Sequence, residues 1–63
     1  MPIITLEGPP ITDIDVRRSL VRELTSSAAK AYGLPEEKII VLIRENRADQ
    51  VAVAGELIAD RGK

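Results

Sequence analysis

Three stretches of the chain show a regular pattern of hydrophobic and polar positions. Residues 2–7 form a short β-branched run that ends at Gly8-Pro9-Pro10, where tandem prolines cannot donate to a strand ladder. From residue 12 to residue 34, apolar side chains recur at i+4 spacing, which is typical of an amphipathic helix. Residues 39–43 are an unbroken aliphatic run, which is typical of a strand buried on both faces. The order strand, helix, strand predicts a βαβ unit with a right-handed crossover.

The predicted helix has signals at both ends and one apolar stripe. Thr12 or Asp13 can cap its start, and Asp15 adds negative charge to its first turn. Gly33 can end it, because glycine readily adopts the left-handed backbone of a helix C-terminus. We expect a weak i,i+4 ion pair between Asp13 and Arg17. The stripe consists of Val16, Leu20, Leu24, Ala28 and Tyr32, flanked by Val21 and Ala31.

The size of the chain predicts association with other subunits. One helix covers only one face of a two-stranded sheet, whereas the run at residues 39–43 favours a strand with both faces dry. A chain of 63 residues buries only about 60% of the surface of its unfolded form. The segment at residues 51–55, followed by Leu57 and Ile58, is typical of an edge strand or hairpin arm. We expect this tail to lie at a subunit interface; the alternative is a hairpin folded against its own sheet.

Composition narrows the classes of function. The length indicates one domain, residues 1–63, and the absence of cysteine and histidine argues against disulfides and against zinc or copper sites. We therefore expect no metal and no cofactor. Nine basic and ten acidic residues are scattered, and Tyr32 is the only aromatic residue, which argues against a nucleic-acid partner. Without a spanning run or signal-peptide pattern, we expect a soluble cytoplasmic protein with no membrane role.

Pro2 is the candidate for unusual chemistry. A small second residue normally allows removal of the initiator methionine, which would leave Pro2 with a secondary amine at the N-terminus. Every other proline of the chain lies within an amide and has neither an N–H nor a basic lone pair. The alternative interpretation is that Met-Pro is simply a common way for a protein to begin. We expect Met1 to be removed and the Pro2 nitrogen to be available for chemistry.

Five segments together carry a family resemblance. They are Pro2-Ile3-Ile4, Leu6-Glu7-Gly8, Gly33-Leu34-Pro35, the run at residues 39–43 closing on Glu45, and Gly55-Glu56-Leu57. In their order and spacing the chain resembles the 4-oxalocrotonate tautomerases over essentially its whole length, and the short DmpI-like members most. The resemblance implies an α/β (α+β) fold, with a tautomerase-like βαβ unit and a C-terminal hairpin. It also implies assembly into dimers with four-stranded sheets and further into a homohexamer.

The resemblance also implies a mechanism for Pro2. In the family the proline nitrogen is a general base that moves a proton between the enol hydroxyl and a carbon of a 2-hydroxydienoate or 2-oxo acid. Such a base works best when its pKa lies near the operating pH. An apolar pocket or a nearby cation lowers the pKa of an amine. We expect Ile4, Ile40 and Leu42 to line that pocket.

The chain departs from the family at the positions that bind substrate. The two family arginines correspond to Pro9 and Ile40, and the pocket aromatic corresponds to Val51. Only Pro2 remains of the catalytic set, so the electrostatic stabilisation that usually dominates such catalysis is lost. Lys38 has the strand parity of Ile40 and is a candidate replacement at the Pro2 end; otherwise it is a solvated lysine. The predicted substrate-binding residues are therefore Lys38, Ile40 and Val51.

The remaining arginines are weaker candidates. Arg44 lies at the far end of its strand, roughly 20 Å from Pro2 at about 3.3 Å per residue, and could reach a site only across an interface. Arg17, Arg18 and Arg22 are expected on the solvated face of the helix, unless one of them lines the site of a neighbouring subunit.

Two hypotheses of different class follow. The first is a homo-oligomeric tautomerase that acts on a small-molecule carboxylate; hydration, dehalogenation or decarboxylation on the same scaffold is a variant of it. The second is a catalytically impaired oligomeric homologue that has kept the fold and lost the site.

Overall fold

The strands and the helix follow one another in the predicted order. The computed structural model describes residues 1–62. It has strand β1 (Ile3–Gly8), helix α1 (Ile14–Tyr32), strand β2 (Ile40–Glu45), and the short strands β3 (Ala52–Val53) and β4 (Glu56–Leu57). Single 3₁₀ turns lie at Glu36–Lys38, Ala48–Gln50 and Ile58–Asp60. β1 and β2 pair in parallel, with Ile3 opposite Ile40 and Gly8 opposite Glu45. The predicted βαβ unit with a C-terminal hairpin is confirmed, and both long strands begin one residue later than predicted.

Both predicted ends of α1 are confirmed. The Asp13 carboxylate accepts a hydrogen bond of 2.8 Å from the Asp15 amide, which satisfies one of the free N–H groups of the first turn. At the other end Gly33 has φ of 66°. The Leu34 amide then donates back to the Ala29 carbonyl at 3.0 Å. This pairing closes the helix and turns the chain towards β2.

The helix packs on the sheet through the middle of its predicted stripe. Leu20, Leu24 and Ala28 are half-buried, and Ala29 is the most buried hydrophobic residue at 8% exposure. Val16 and Tyr32, at the ends of the stripe, are exposed, contrary to the pattern. The physical reason is length: 19 helical residues span about 28 Å, whereas six strand residues span about 20 Å. The ends of the helix therefore extend beyond the sheet.

The face of the sheet away from the helix is open, and we call it the open face. It consists of Ile3, Thr5 and Glu7 from β1 and Ile40, Leu42 and Arg44 from β2. Ile3 is 58% exposed, and Leu42, whose run predicted burial on both faces, is 43% exposed. The accessible surface is 4940 Å², whereas a compact chain of 6.9 kDa exposes roughly 4000 Å². The radius of gyration is 15.2 Å, against about 10.6 Å for a compact domain of this length.

The hairpin forms a sheet of its own. Ala52 pairs with Leu57 and Val53 with Glu56, and no strand of the hairpin joins β1 or β2 within residues 1–62. The hairpin therefore does not extend the β1–β2 sheet, and its expected place at a subunit interface stays a prediction. Its turn is Ala54-Gly55, with φ of 54° and 82°. Within the same described range, no helix is long and apolar enough to cross a membrane.

Candidate active site

Pro2 lies immediately before β1 and is anchored through its backbone. Its carbonyl oxygen accepts a hydrogen bond of 3.1 Å from the Ile40 amide, which continues the ladder between β1 and β2. The side chain is half-buried, whereas Met1 is exposed. With Met1 attached, the Pro2 nitrogen is a tertiary amide and has no basic lone pair. Ile40, which the resemblance places where the family has an arginine, is thus a direct neighbour of Pro2.

Lys38 lies near this end of the sheet but outside the strand. It ends the 3₁₀ turn Glu36–Lys38, and its amide donates to the Pro35 carbonyl at 3.0 Å. Because β2 begins only at Ile40, strand parity does not apply to Lys38. The residue is exposed, and its side chain makes no ion pair within the part of the chain that the structure describes. Its role as a substrate-binding cation stays a prediction.

Two further family positions meet at the opposite end of the sheet. Pro9 and Val51 line one cavity of about 400 Å³, which we call the Pro9 cavity. The Asn46 amide donates to the Gly8 carbonyl at 2.9 Å, so the ends of both strands lie together and the hairpin closes over them. The other lining residues are Glu7, Gly8, Asn46, Ala48 and Ile58. Sequence reasoning did not identify these; the parallel register, which joins the C-terminal ends of the two strands, is the signal that could have done so.

A polar cluster fixes the loop beside this cavity. The two oxygens of Glu45 bind the guanidinium of Arg17 and the amide of Ile11, the latter at 2.6 Å. Arg17 Nε also donates to the Ile11 carbonyl at 2.6 Å. We call this arrangement the Arg17–Glu45 clamp. It ties the loop after β1 to the end of β2, where a smaller cavity of about 290 Å³ lies between helix and sheet.

The prediction that three arginines lie on the solvated face of the helix is wrong for Arg17 and holds for Arg18 and Arg22. Arg17 is not on a solvated face, since it is 34% exposed and pairs with Glu45 instead of Asp13. Arg18 pairs with Asp15 on the surface, and Arg22 donates to the Ser19 hydroxyl, as expected of exposed helix residues. Arg44 lies on the open face, in register with Glu7, at the Pro9 cavity end of the sheet.

The candidate site is therefore divided within one chain. Pro2 and Ile40 lie at the start of the sheet, and Pro9 and Val51 lie at its other end. The length of β1 separates the two halves by roughly 20 Å. A small substrate cannot touch both halves of the same chain, so a site that uses both needs two chains.

Known proteins are similar to this chain in sequence and in fold. The family model described as "Tautomerase enzyme" matches residues 2–61. The 2-hydroxymuconate tautomerase of Bacillus subtilis is 37% identical over 60 residues, which are 95% of this chain and 97% of that protein. A solved 4-oxalocrotonate tautomerase homologue superposes with a TM-score of 0.88 at 32% identity and covers 100% of both chains. DmpI from Archaeoglobus fulgidus gives a TM-score of 0.82 at 42% identity, over 94% of this chain and all 100% of that one.

The fold thus defines a small α+β protein of the tautomerase class. The chain belongs to the tautomerase family, and its similarity is to enzymes of the 4-oxalocrotonate tautomerase type.

Proposed function

We propose that the protein is a tautomerase in which Pro2, freed of Met1, is the general base for a small 2-hydroxydienoate or 2-oxo acid. The observation that carries the proposal is the position of Pro2 at the first rung of the β1–β2 ladder, held by Ile40. Exposure of Met1 leaves the terminus open to removal of that residue. Membership of the tautomerase family supports the same assignment.

The proton transfer needs only the proline nitrogen. Its lone pair takes the enol hydroxyl proton, and the O–H electron pair becomes the carbonyl π bond. The electrons of the former carbon–carbon π bond shift along the carbon skeleton of the substrate. A substrate carbon then takes the proton from the prolinium. The base is regenerated and no electron is gained or lost, so the reaction requires no cofactor.

We propose that the working form is a homo-oligomer, and that each site uses Pro2 of one subunit and the Pro9 cavity of another. The separation of the two halves within one chain supports this, as do the open face and the large exposed surface. A closed, symmetric assembly such as a dimer or hexamer would repeat the same contact in every site.

The test is the ketonisation of phenylenolpyruvate. Protein without Met1, verified by intact mass, is expected to accelerate it, and Pro2→Ala is expected to lower kcat/KM by about a hundredfold or more. Pro10→Ala, in an exposed loop outside both cavities, is the matched control and should leave the rate unchanged. Protein that retains Met1 should show no turnover. Equal rates for wild type and Pro2→Ala would remove Pro2 from the mechanism.

A second candidate function is a non-catalytic oligomer with the same fold. The observation that favours it is that Pro9 and Ile40 stand where the family has cations, and that the residues found to line the Pro9 cavity include no cation. This hypothesis predicts that processed wild type ketonises phenylenolpyruvate no faster than buffer does, and acceleration would exclude it.

A further inference from the structure

The Pro9 cavity combines an apolar lining with a single carboxylate. Pro9, Ala48, Val51 and Ile58 supply hydrophobic surface, and Glu7 supplies the only charge among the lining residues found. We infer that this cavity binds an uncharged, apolar substituent of the enol substrate, such as an aryl or branched alkyl group, and that Glu7 excludes a second carboxylate. The inference rests on the proposed tautomerase function, to which it adds the substrate class.

Three arginines of the chain do not offset the negative charge of Glu7, because each is paired with another carboxylate. Arg47 pairs with Asp49 at 3.1 Å, and Arg61 pairs with Glu56 at 3.2 Å. Arg17 is held by Glu45. Each of these three guanidinium groups therefore already has a carboxylate partner. A substrate carboxylate at any of these groups would compete with that partner.

Arg44 differs from these three arginines because no carboxylate pairs with it within residues 1–62. It is the register partner of Glu7, yet it lines the smaller cavity and not the Pro9 cavity. No ion pair joins Arg44 to Glu7 within residues 1–62. Glu7 lines both cavities and shares the smaller one with Arg44, but it is the only charged residue found in the lining of the Pro9 cavity. A substrate carboxylate in the Pro9 cavity would therefore meet a like charge there.

Size also favours a substituent of this class. The volume of about 400 Å³ lies within the range of small-molecule sites, and such sites are mostly apolar with a few polar groups that fix orientation. Asn46 supplies the one neutral amide of the lining and can hydrogen-bond an uncharged oxygen. An aromatic ring gains from burial against Val51 and Ile58, whereas a carboxylate loses its hydration there without gaining a cation.

The kinetic test compares two enols on processed protein. The probes are phenylenolpyruvate, which has an aryl group, and 2-hydroxymuconate, which has a second carboxylate. Wild type is expected to favour the aryl enol in kcat/KM by about tenfold or more. Pro9→Arg should raise kcat/KM for the dicarboxylate by about tenfold, because a guanidinium binds a carboxylate bidentately. Glu7→Gln should raise it by about three- to tenfold, because one like charge is removed, and should change kcat/KM for the aryl enol by a smaller factor.

Glu23→Gln is the control, since Glu23 is an exposed helix carboxylate outside both cavities, and it should change neither value. A wild type that prefers the dicarboxylate, and loses that preference in Arg44→Gln, would overturn the inference. A preference ratio that stays at the wild-type value in both Glu7→Gln and Pro9→Arg would also overturn it.

A binding measurement separates this inference from the proposed function. In Pro2→Ala, whose turnover should be low, phenylacetate is expected to shift the NMR methyl signals of Val51 and Ile58 in a saturable way. Glutarate at the same concentration should shift them only after Pro9→Arg is added. If glutarate and phenylacetate shift these methyls equally without that change, the inference fails whatever the activity of Pro2. If instead Pro2→Ala keeps full activity, the mechanism fails while the cavity result stands.

Discussion

The Ile40 amide donates a hydrogen bond of 3.1 Å to the Pro2 carbonyl oxygen. This bond places a family arginine position directly beside the proposed base. Ile40→Arg is therefore expected to raise kcat/KM for 2-hydroxymuconate by about tenfold, because a cation there stabilises the dienolate. Ile40→Gln is the matched control, since it is polar but uncharged. Equal rates for the two variants would show that charge at residue 40 does not reach the reacting atoms.

The Arg17–Glu45 clamp should contribute measurably to stability. Arg17→Met removes a partly buried guanidinium and leaves Glu45, which is 19% exposed, without its cation. We expect a loss of about 1.5–3 kcal/mol in the free energy of unfolding, the range for hydrogen bonds to charged groups.

The control for the clamp is Arg18→Met, whose pair with Asp15 is 67% and 82% exposed and should be worth less than about 1 kcal/mol. Urea unfolding at one fixed protomer concentration is the measurement, because association contributes to stability. A loss in Arg17→Met no larger than in Arg18→Met would contradict the assigned role of the clamp.

The hairpin turn carries a residue that its backbone disfavours. Ala54 has φ of 54°, a left-handed conformation in which an L side chain is strained. Ala54→Gly is expected to raise the free energy of unfolding by about 0.5–1 kcal/mol, and Gly55→Ala should lower it by about 1 kcal/mol. No heavy atom lies within 4 Å of an added Cβ at Gly55, so the cost there is conformational.

Gly8 gives the matched control for the turn, because its surroundings are equally open and its φ is not positive. Gly8→Ala should therefore change stability less than Gly55→Ala, as measured by urea unfolding. A similar loss in both variants would mean that the turn conformation does not set the cost.

The open face should hold the oligomer together. Leu42→Lys puts a charge in the middle of this face and is expected to release monomers, because a buried leucine contributes about 1.5–3 kcal/mol and an unpaired buried ammonium is costly. Ser27→Lys adds the same charge at an exposed helix position and should leave the mass unchanged. Sedimentation equilibrium distinguishes the two. An unchanged mass for Leu42→Lys would place the interface elsewhere.

The backbone order could be predicted because local signals agreed. Asp13 and Gly33 ended the helix where expected, and the aliphatic run at residues 39–43 begins one residue before β2 and ends two residues short of its end. The partner of Arg17 could not be predicted, because the i,i+4 rule considers only neighbours along the helix. Glu45 is 28 residues away and becomes a neighbour only through the parallel register.

The sequence was sufficient to predict which residues belong to the candidate site, but not how the fold distributes them. Resemblance identified Pro9, Ile40 and Val51 as altered positions, but it did not show that they fall at two ends of one sheet. Nor did the pattern of apolar residues reveal that Glu7 borders the cavity beside Val51. Strand alternation assigns Glu7 to the open face, and the contribution of the hairpin depends on its tertiary position.

Division of the site between the two ends of β1 has a consequence for mixed populations of subunits. If each working site takes one half from each of two chains, dilution with chains that lack both halves lowers activity as the square of the fraction of intact chains and not in proportion to it. Conversely, Pro2→Ala subunits mixed equally with subunits damaged only at the Pro9 cavity should restore about one quarter of the sites, since symmetric contacts combine the halves at random. Two inactive proteins would then complement each other in one tube.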